Sequence, residues 1–216
     1  MTKVTQRRGP VLSGDPIDTR RPSVDATGGI SARIALCVRK NRLTAGLSLE
    51  GLAERSGVSR SMLSLIERGE ASPTAVLLER IASALGVSLA TLFEDPAASA
   101  DPVSRGAERN AWRDPETGYV RCNISPSNTP SPIQIVDVVL PVGAAVAYET
   151  AAQDPGIPHQ IWVRQGRIEV SVGGATHQLE QDDCLAIQLS SPITYRNRTR
   201  QDARYIVVLL KSRPMV

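Results

Sequence analysis

The stretch "GVSRSMLSLIERGEASP", Gly57 to Pro73, decides how this chain is read. Placed on a helix at about 100° per residue, it puts Met62, Leu63 and Ile66 on one side. Arg60, Ser61, Ser64 and Arg68 fall on the other side, and Leu65 sits among them, away from the apolar stripe. Ser59 stands where an N-cap belongs, and Val58 with Leu63 has the spacing of a hydrophobic staple. A short helix with two arginines, two serines and one stray leucine on its outer face has the composition of a recognition surface.

Working outward, residues 30–93 carry helical signals throughout. A first helix is expected from Ile30 to about Leu43, with Ile30, Ile34 and Val38 at i, i+4 and i+8. Ser48 caps a second helix, with Leu47 and Leu52 as its staple, and Gly57 ends it. The helix from Arg60 to Arg68, capped by Ser59, is the third. Ser72–Pro73 opens a fourth along Leu77, Ile81 and Leu85, which Gly86 terminates, and Ser88 caps a last one with Leu89, Leu92 and Phe93. The expectation is five short helices in a bundle.

Helices two and three, joined through Gly57, have the spacing of a helix-turn-helix. In that motif the second helix enters the DNA major groove, its N-terminal residues against base edges. Arg60 suits a bidentate contact to guanine, Ser61 and Ser64 suit either edge type, and Leu65 suits a thymine methyl. Arg68 and the first-helix cluster Arg39, Lys40 and Arg42 are expected to neutralise phosphates.

The run "GLSLEGLAERSGVSRSMLSLIERGEASPTAVLLERIASALGVSLATLFE" resembles the helix-turn-helix domain of the XRE family, the phage-repressor-like regulators. The resemblance covers residues 30–93 and implies that Arg60, Ser61 and Leu65 read bases, with Ser59 and Ser64 beside them. One position departs from the family. Where many members begin helix two with a DNA-contacting glutamine, this chain has Leu49, which cannot make that bond. The backbone N–H groups at that helix start are left to hold a phosphate.

Composition agrees with this division. Residues 1–95 hold 13 basic against 10 acidic side chains, and residues 96–216 hold 12 of each, so the net charge of +3 lies in the first half. Aromatics are 3% of the chain, which leaves the core to Leu, Ile, Val and Ala. The opening "MTKVTQRRGPVLSGDP" has no apolar signal region, and no window approaches the roughly 18 apolar residues of a membrane span. Cys37, Cys122 and Cys184 are far apart and form no C-x-x-C pair. The expected setting is the reducing cytoplasm. Residues 1–29 read as a disordered tail and residues 95–106, rich in Pro, Ala, Ser and Asp, as a linker.

After the linker the apolar period becomes two. "IQIVDVVL" (133–140), "AVAYE" (145–149), "IWVRQGRIEVSV" (161–172), "THQLEQ" (176–181), "DCLAIQL" (183–189) and "ARYIVVLL" (203–210) read as short strands. Gly173–Gly174 is a two-residue hairpin turn of the primed type, and Gly166 makes a second turn. Many short strands with close turns argue a β-sandwich or barrel. The expected architecture is a two-domain α plus β protein, with helices over 30–94 and a β-barrel over 107–213.

Residues 107–213 resemble a cupin, chiefly through "HQIWVRQGRIEVSVGGATHQLEQDDCLAIQLSSPITYRN". Many cupins bind a metal through three histidines and a glutamate. Carried over residue by residue, the glutamate falls on His159, two histidines fall around Gln153 to Pro155, and the last falls on Ile193. One ligand of four remains, so no metal, cofactor or catalytic residue is expected. The resemblance places His159 and Ile193 inward, and alternation adds Tyr195, with Tyr148 at the end of an earlier strand. These four are the candidate pocket for a small-molecule effector. The preferred reading is a homodimeric regulator, a repressor of operator DNA, with no membrane association. A cupin enzyme with a DNA-binding appendage and an antitoxin-like protein partner are the alternatives.

Overall fold

The computed structural model describes residues 28–96, 101–149 and 157–210. Of the expected tail only Gly28 and Gly29 fall within that range, and part of the expected linker lies outside it. Helices α1 (Gly28–Thr44), α2 (Leu49–Ser56), α3 (Arg60–Glu67) and α4 (Ala75–Ala84) come first, followed by a 3-10 turn, Leu89–Phe93. That turn stands where a fifth α-helix was expected. Ser88 does start it, its Oγ accepting the Thr91 N–H at 3.2 Å, but the chain is extended again by Glu94, leaving room for five residues only.

The caps follow the sequence closely at α2 and α3. Ser48 Oγ accepts from the Gly51 N–H at 3.0 Å and Ser59 Oγ from the Met62 N–H at 3.2 Å. Gly57 between them has φ +66°, a conformation that a residue with a Cβ adopts only under strain. At α4 the boundary differs. Thr74, not Ser72, is the N-cap, with its Oγ1 accepting the Leu77 N–H at 3.3 Å, and Pro73 is buried ahead of the helix. The cause lies far along the chain: buried Asp114 accepts the Ala75 N–H at 2.5 Å and so fixes the first turn from outside.

Arg42 is also placed differently from expectation. It is buried rather than facing phosphate, and it ties three segments together. Nε and Nη2 donate to the Glu67 carboxylate at 2.6 and 2.8 Å, and Nη1 donates to the Leu47 carbonyl at 2.8 Å. The reason is positional. Ile30, Ile34 and Val38 form the buried stripe of α1, and Arg42 is the next step of four along it.

The strands are β1 (Ala111–Arg113), β2 (Val120–Asn123), β3 (Ile133–Leu140), β4 (Ala145–Tyr148), β5 (Ile157–Gln165), β6 (Ile168–Val172), β7 (Ala175–Leu179), β8 (Cys184–Leu189), β9 (Ile193–Arg196) and β10 (Ala203–Leu210). They form two antiparallel sheets, β1-β2-β3-β10-β5-β8 and β4-β9-β6-β7. The expected barrel is, among the described residues, this pair of sheets with a shared core. Val136, Val138, Ile161, Val163, Tyr205 and Val207 of the larger sheet are buried with Val146, Tyr148, Ile168, Val170, Ile193 and Tyr195 of the smaller. Tyr195 stacks on Tyr205 across the gap, with ring centroids 5.4 Å apart and planes within 8°. Gly173 and Gly174 both have positive φ, +57° and +81°, as the primed hairpin turn requires.

The helices and sheets share one continuous core. Phe93, ending the helical unit, packs 5.3 Å from the Trp112 ring and lies beneath the Arg121 guanidinium. Polar links border it: Ser88 Oγ donates to Gln134 Oε1 at 2.6 Å, Gln134 Nε2 to Glu94 Oε1 at 2.9 Å, and Asn123 Nδ2 to the Ala90 carbonyl at 2.8 Å. On the far side α4 meets β4, where Arg80 pairs with Glu149 at 3.4 Å.

Two stability predictions follow from this frame. Truncating Arg42 leaves the buried Glu67 carboxylate unpaired, so Arg42→Ala should lower unfolding free energy by about 3 kcal/mol. Denaturant titration showing wild-type stability would contradict the assignment. Burial raises the Glu79 carboxyl on α4 to about 7 from 4.5, and Glu149 adds to the rise while Arg80 opposes it. The unfolded chain therefore loses this proton before the folded protein does. Glu79 should favour folding below the unfolded value and lose that benefit as pH rises through about 7. Discounted for partial exposure, the loss is about 1–2 kcal/mol. Glu79→Gln should flatten that slope; an unchanged slope would remove Glu79 as its source.

Candidate nucleic-acid interface

The α3 surface is presented by its own caps and its buried side. Leu63 and Ile66 are fully buried, with 0% and 1% exposure, and lock the helix against α1 and α2. This leaves Ser59, Arg60, Ser61 and Arg68 exposed at the surface and Ser64 and Leu65 half-buried. Leu65 is thus less free than the helical wheel implies, though it stays outside the buried core.

Hydrogen bonds already organise this face. The Ser59 and Ser61 hydroxyls lie 3.1 Å apart, so the capping residue is linked to the first exposed turn of α3. Arg60 Nε is 3.6 Å from Glu50 Oε2 on α2, and both side chains are well exposed. Arg68 donates from Nε and Nη2 to Glu70 at 2.8 Å each and from Nη1 to Ser64 Oγ at 2.5 Å. That pairing holds Glu70 below the ordinary carboxylate range and Arg68 above the ordinary guanidinium value. Exposed pairs of this kind are worth little, so they hold these arginines only weakly.

Arg39 and Lys40 of α1 are exposed and complete the basic surface, while Arg42 is withdrawn from it. Leu49 is half-buried and packs onto the core at the start of α2, where its apolar side chain is an asset rather than a lost contact. Ser48 takes up the Gly51 N–H, so that amide is not free for a phosphate.

The four candidate pocket residues divide. Tyr148 and Tyr195 meet edge to face at 6.2 Å, and Ile193 pairs with Tyr148 across the β4–β9 ladder. All three are buried between the sheets. His159 lies half-buried on β5, opposite Leu209 and Ile187 in the larger sheet. Burial holds the Tyr148 and Tyr195 hydroxyls well above the usual phenol range, so both are un-ionised. Sequence reasoning missed Tyr119, Arg121 and Tyr205, which complete this interior; Tyr205 alternates with Ala203 and Val207 along β10, whereas β2 is too short to mark Arg121. A separate cleft of about 270 Å³ opens where the units meet, with Arg33, Phe93, Arg109 and Asn123 among its walls.

Among the described residues, no group of three or more His, Cys, Asp or Glu side chains is placed to hold a metal ion. Cys37 and Cys122 are buried free thiols, and burial raises the Cys37 thiol to about 11. Cys184 is an exposed free thiol on the edge strand β8. No helix among the described residues is long and apolar enough to cross a membrane.

Comparison with known proteins agrees with this geometry. The helix-turn-helix family profile matches residues 38–92. The chain is 27% identical over 172 residues to the HTH-type transcriptional regulator SutR of Escherichia coli, covering 80% of this chain and 91% of that protein. It is 47% identical over 49 residues to an uncharacterized HTH-type transcriptional regulator of Methanothermobacter thermautotrophicus, covering 23% of this chain and 71% of that one. A solved helix-turn-helix family transcriptional regulator from Vibrio cholerae superposes with a TM-score of 0.67 at 25% identity, over 87% of this chain and all of the other. With the capped α2–Gly57–α3 unit, these matches establish that the chain belongs to the XRE-type helix-turn-helix family of transcriptional regulators.

Proposed function

We propose that the protein is a sequence-specific repressor that inserts α3 into the major groove of operator DNA. The observation that carries this reading is the α3 face itself. Arg60 and Ser61 stand exposed at its N-terminal end, Ser64 and Leu65 follow half-buried, and a buried staple fixes the helix behind them. Arg60 and Ser61 reach base edges, Leu65 meets a thymine methyl, and Arg39, Lys40 and Arg68 contact phosphates. Occupying an operator excludes other proteins from it, and repression is the simplest output.

One recognition helix reads too few base pairs for useful specificity, so the reading includes a homodimer on a pseudo-palindrome. The sheet unit is the natural site of pairing. Trp162 is 39% exposed on its outer face with Arg164 stacked on it, centroid distance 4.1 Å, and the edge strand β8 lies alongside. The same unit is read as a cupin-like sensor that binds an organic effector rather than a metal. Support comes from the donor set: His159 stands where many cupins carry the glutamate, Ile193 replaces a histidine and is sealed between the sheets, and no histidine occurs around Gln153 to Pro155, which lie outside the described residues.

Arg60→Ala should weaken operator binding by about 1–3 kcal/mol and relax preference at one base pair. Lys40→Ala should instead weaken binding to all DNA alike and flatten its salt dependence. A gel-shift comparison of operator and scrambled duplexes reads both, and unchanged affinity and preference in Arg60→Ala would remove α3 as the reading element. Sedimentation should give a dimer at micromolar concentration, and a monomer there would contradict the pairing.

A further inference from the structure

Arg121 on β2 is 6% exposed and poorly satisfied. Nη1 donates to the Tyr119 hydroxyl at 3.4 Å, and the guanidinium carbon lies 5.5 Å above the centre of the Phe93 ring. Nε has no hydrogen-bond partner, and among the described residues no carboxylate forms an ion pair with this side chain. The other buried arginines are treated differently: Arg42 has Glu67, and the partly buried Arg204 has Asp137. A buried guanidinium without a counter-ion is strongly unfavourable.

The Tyr148 hydroxyl is also buried and interacts with the Tyr119 side chain, but it makes no hydrogen bond of good geometry. Tyr148, Tyr195 and Tyr205 all lie within the electrostatic reach of Arg121, yet burial keeps each phenol un-ionised. The tyrosines therefore supply hydroxyl donors and aromatic walls but no negative charge. Among the described residues the cluster therefore combines one buried positive charge with neutral hydroxyls and aromatic rings.

Access and shape narrow the class. Phe93 and Asn123 line the cleft of about 270 Å³, and Arg121 lies directly over the Phe93 ring on the same strand face as Asn123. The Phe93 ring is thus shared between the wall of the cleft and the contact with the guanidinium. One arginine neutralises one charge, its planar fork matches a carboxylate, and the surroundings are aromatic and aliphatic. We propose that Arg121, with the Tyr119 and Tyr148 hydroxyls, is the binding site for a small organic monocarboxylate with an apolar body. The proposal rests on the reading of the sheet unit as a sensor and names the chemistry it senses. A ligand here competes with Phe93 for the guanidinium, and Phe93 is the aromatic anchor between the helical unit and the sheets.

The test uses the full chain, with melting temperature and Trp112 fluorescence as readouts. Trp112 touches both Phe93 and Tyr119, at 5.3 and 6.5 Å. Benzoate and propanoate at about 10 mM are the probes, with benzamide and sulfate as neutral and inorganic controls. The account expects at least one carboxylate to raise the melting temperature and change the Trp112 emission, and benzamide and sulfate to do neither. Arg121→Met should abolish the response and, without ligand, melt no lower than the wild type, as a purely structural arginine would not. Tyr148→Phe, which keeps the ring, should weaken binding roughly tenfold. A wild-type protein unmoved by both carboxylates, an equal response to benzamide, or a full response in Arg121→Met would each overturn the site. Operator binding without ligand is measured on the same samples. Its loss in the wild type would sink the regulator reading, whereas intact binding with silent carboxylates would sink this site alone.

Discussion

Phe93 is the residue at which the helical unit and the sheet unit become one body. Its ring packs on Trp112 on one side and receives the Arg121 guanidinium on another, in a core that runs unbroken from α1 to the sheets. Aromatic contacts of this kind are worth about 0.5–1.5 kcal/mol beyond the area they bury. Around them, Ser88, Gln134, Glu94, Asn123 and Asp114 supply directional bonds that fix the angle between the units. The consequence is mechanical. The helix-turn-helix is tied to the sheets through the Phe93 contacts and the polar bonds that border them.

Within the helical unit the labour is divided between buried and exposed charge. Arg42 and Glu67 form a nearly sealed pair that joins α1 to the end of α3. Arg60 with Glu50 and Arg68 with Glu70 are exposed pairs, weak enough to open when a nucleic acid offers a better partner. The same residue type thus serves two ends, and burial alone separates them.

The elements that local chemistry specifies were legible in the sequence. The Ser48 and Ser59 caps, the Gly57 turn, the strands 133–140 and 203–210 and the Gly173–Gly174 hairpin stand where spacing puts them. Elements fixed by distant partners were not. The start of α4 depends on Asp114, 39 residues away, and no local rule reports that bond. Strands β1 and β2 are three and four residues long, too short to show a period. Arg42 was readable in principle, since it continues the Ile30–Ile34–Val38 stripe, but a basic cluster on a DNA-binding motif drew the opposite conclusion. The candidate interior was half visible: the cupin resemblance placed Ile193 and alternation added Tyr195, with Tyr148 at a strand end, while Tyr119 and Arg121 emerge only when the sheets face each other.

The central claim is that the side chains of α3 choose the DNA sequence. Selection of bound duplexes from a random pool, run in parallel on the wild type and on a variant with Arg60, Ser61 and Leu65 all replaced, tests it most directly. The account predicts an enriched pseudo-palindrome for the wild type and a different or absent motif for the variant, at unchanged melting temperature. The same motif enriched by both proteins would contradict it.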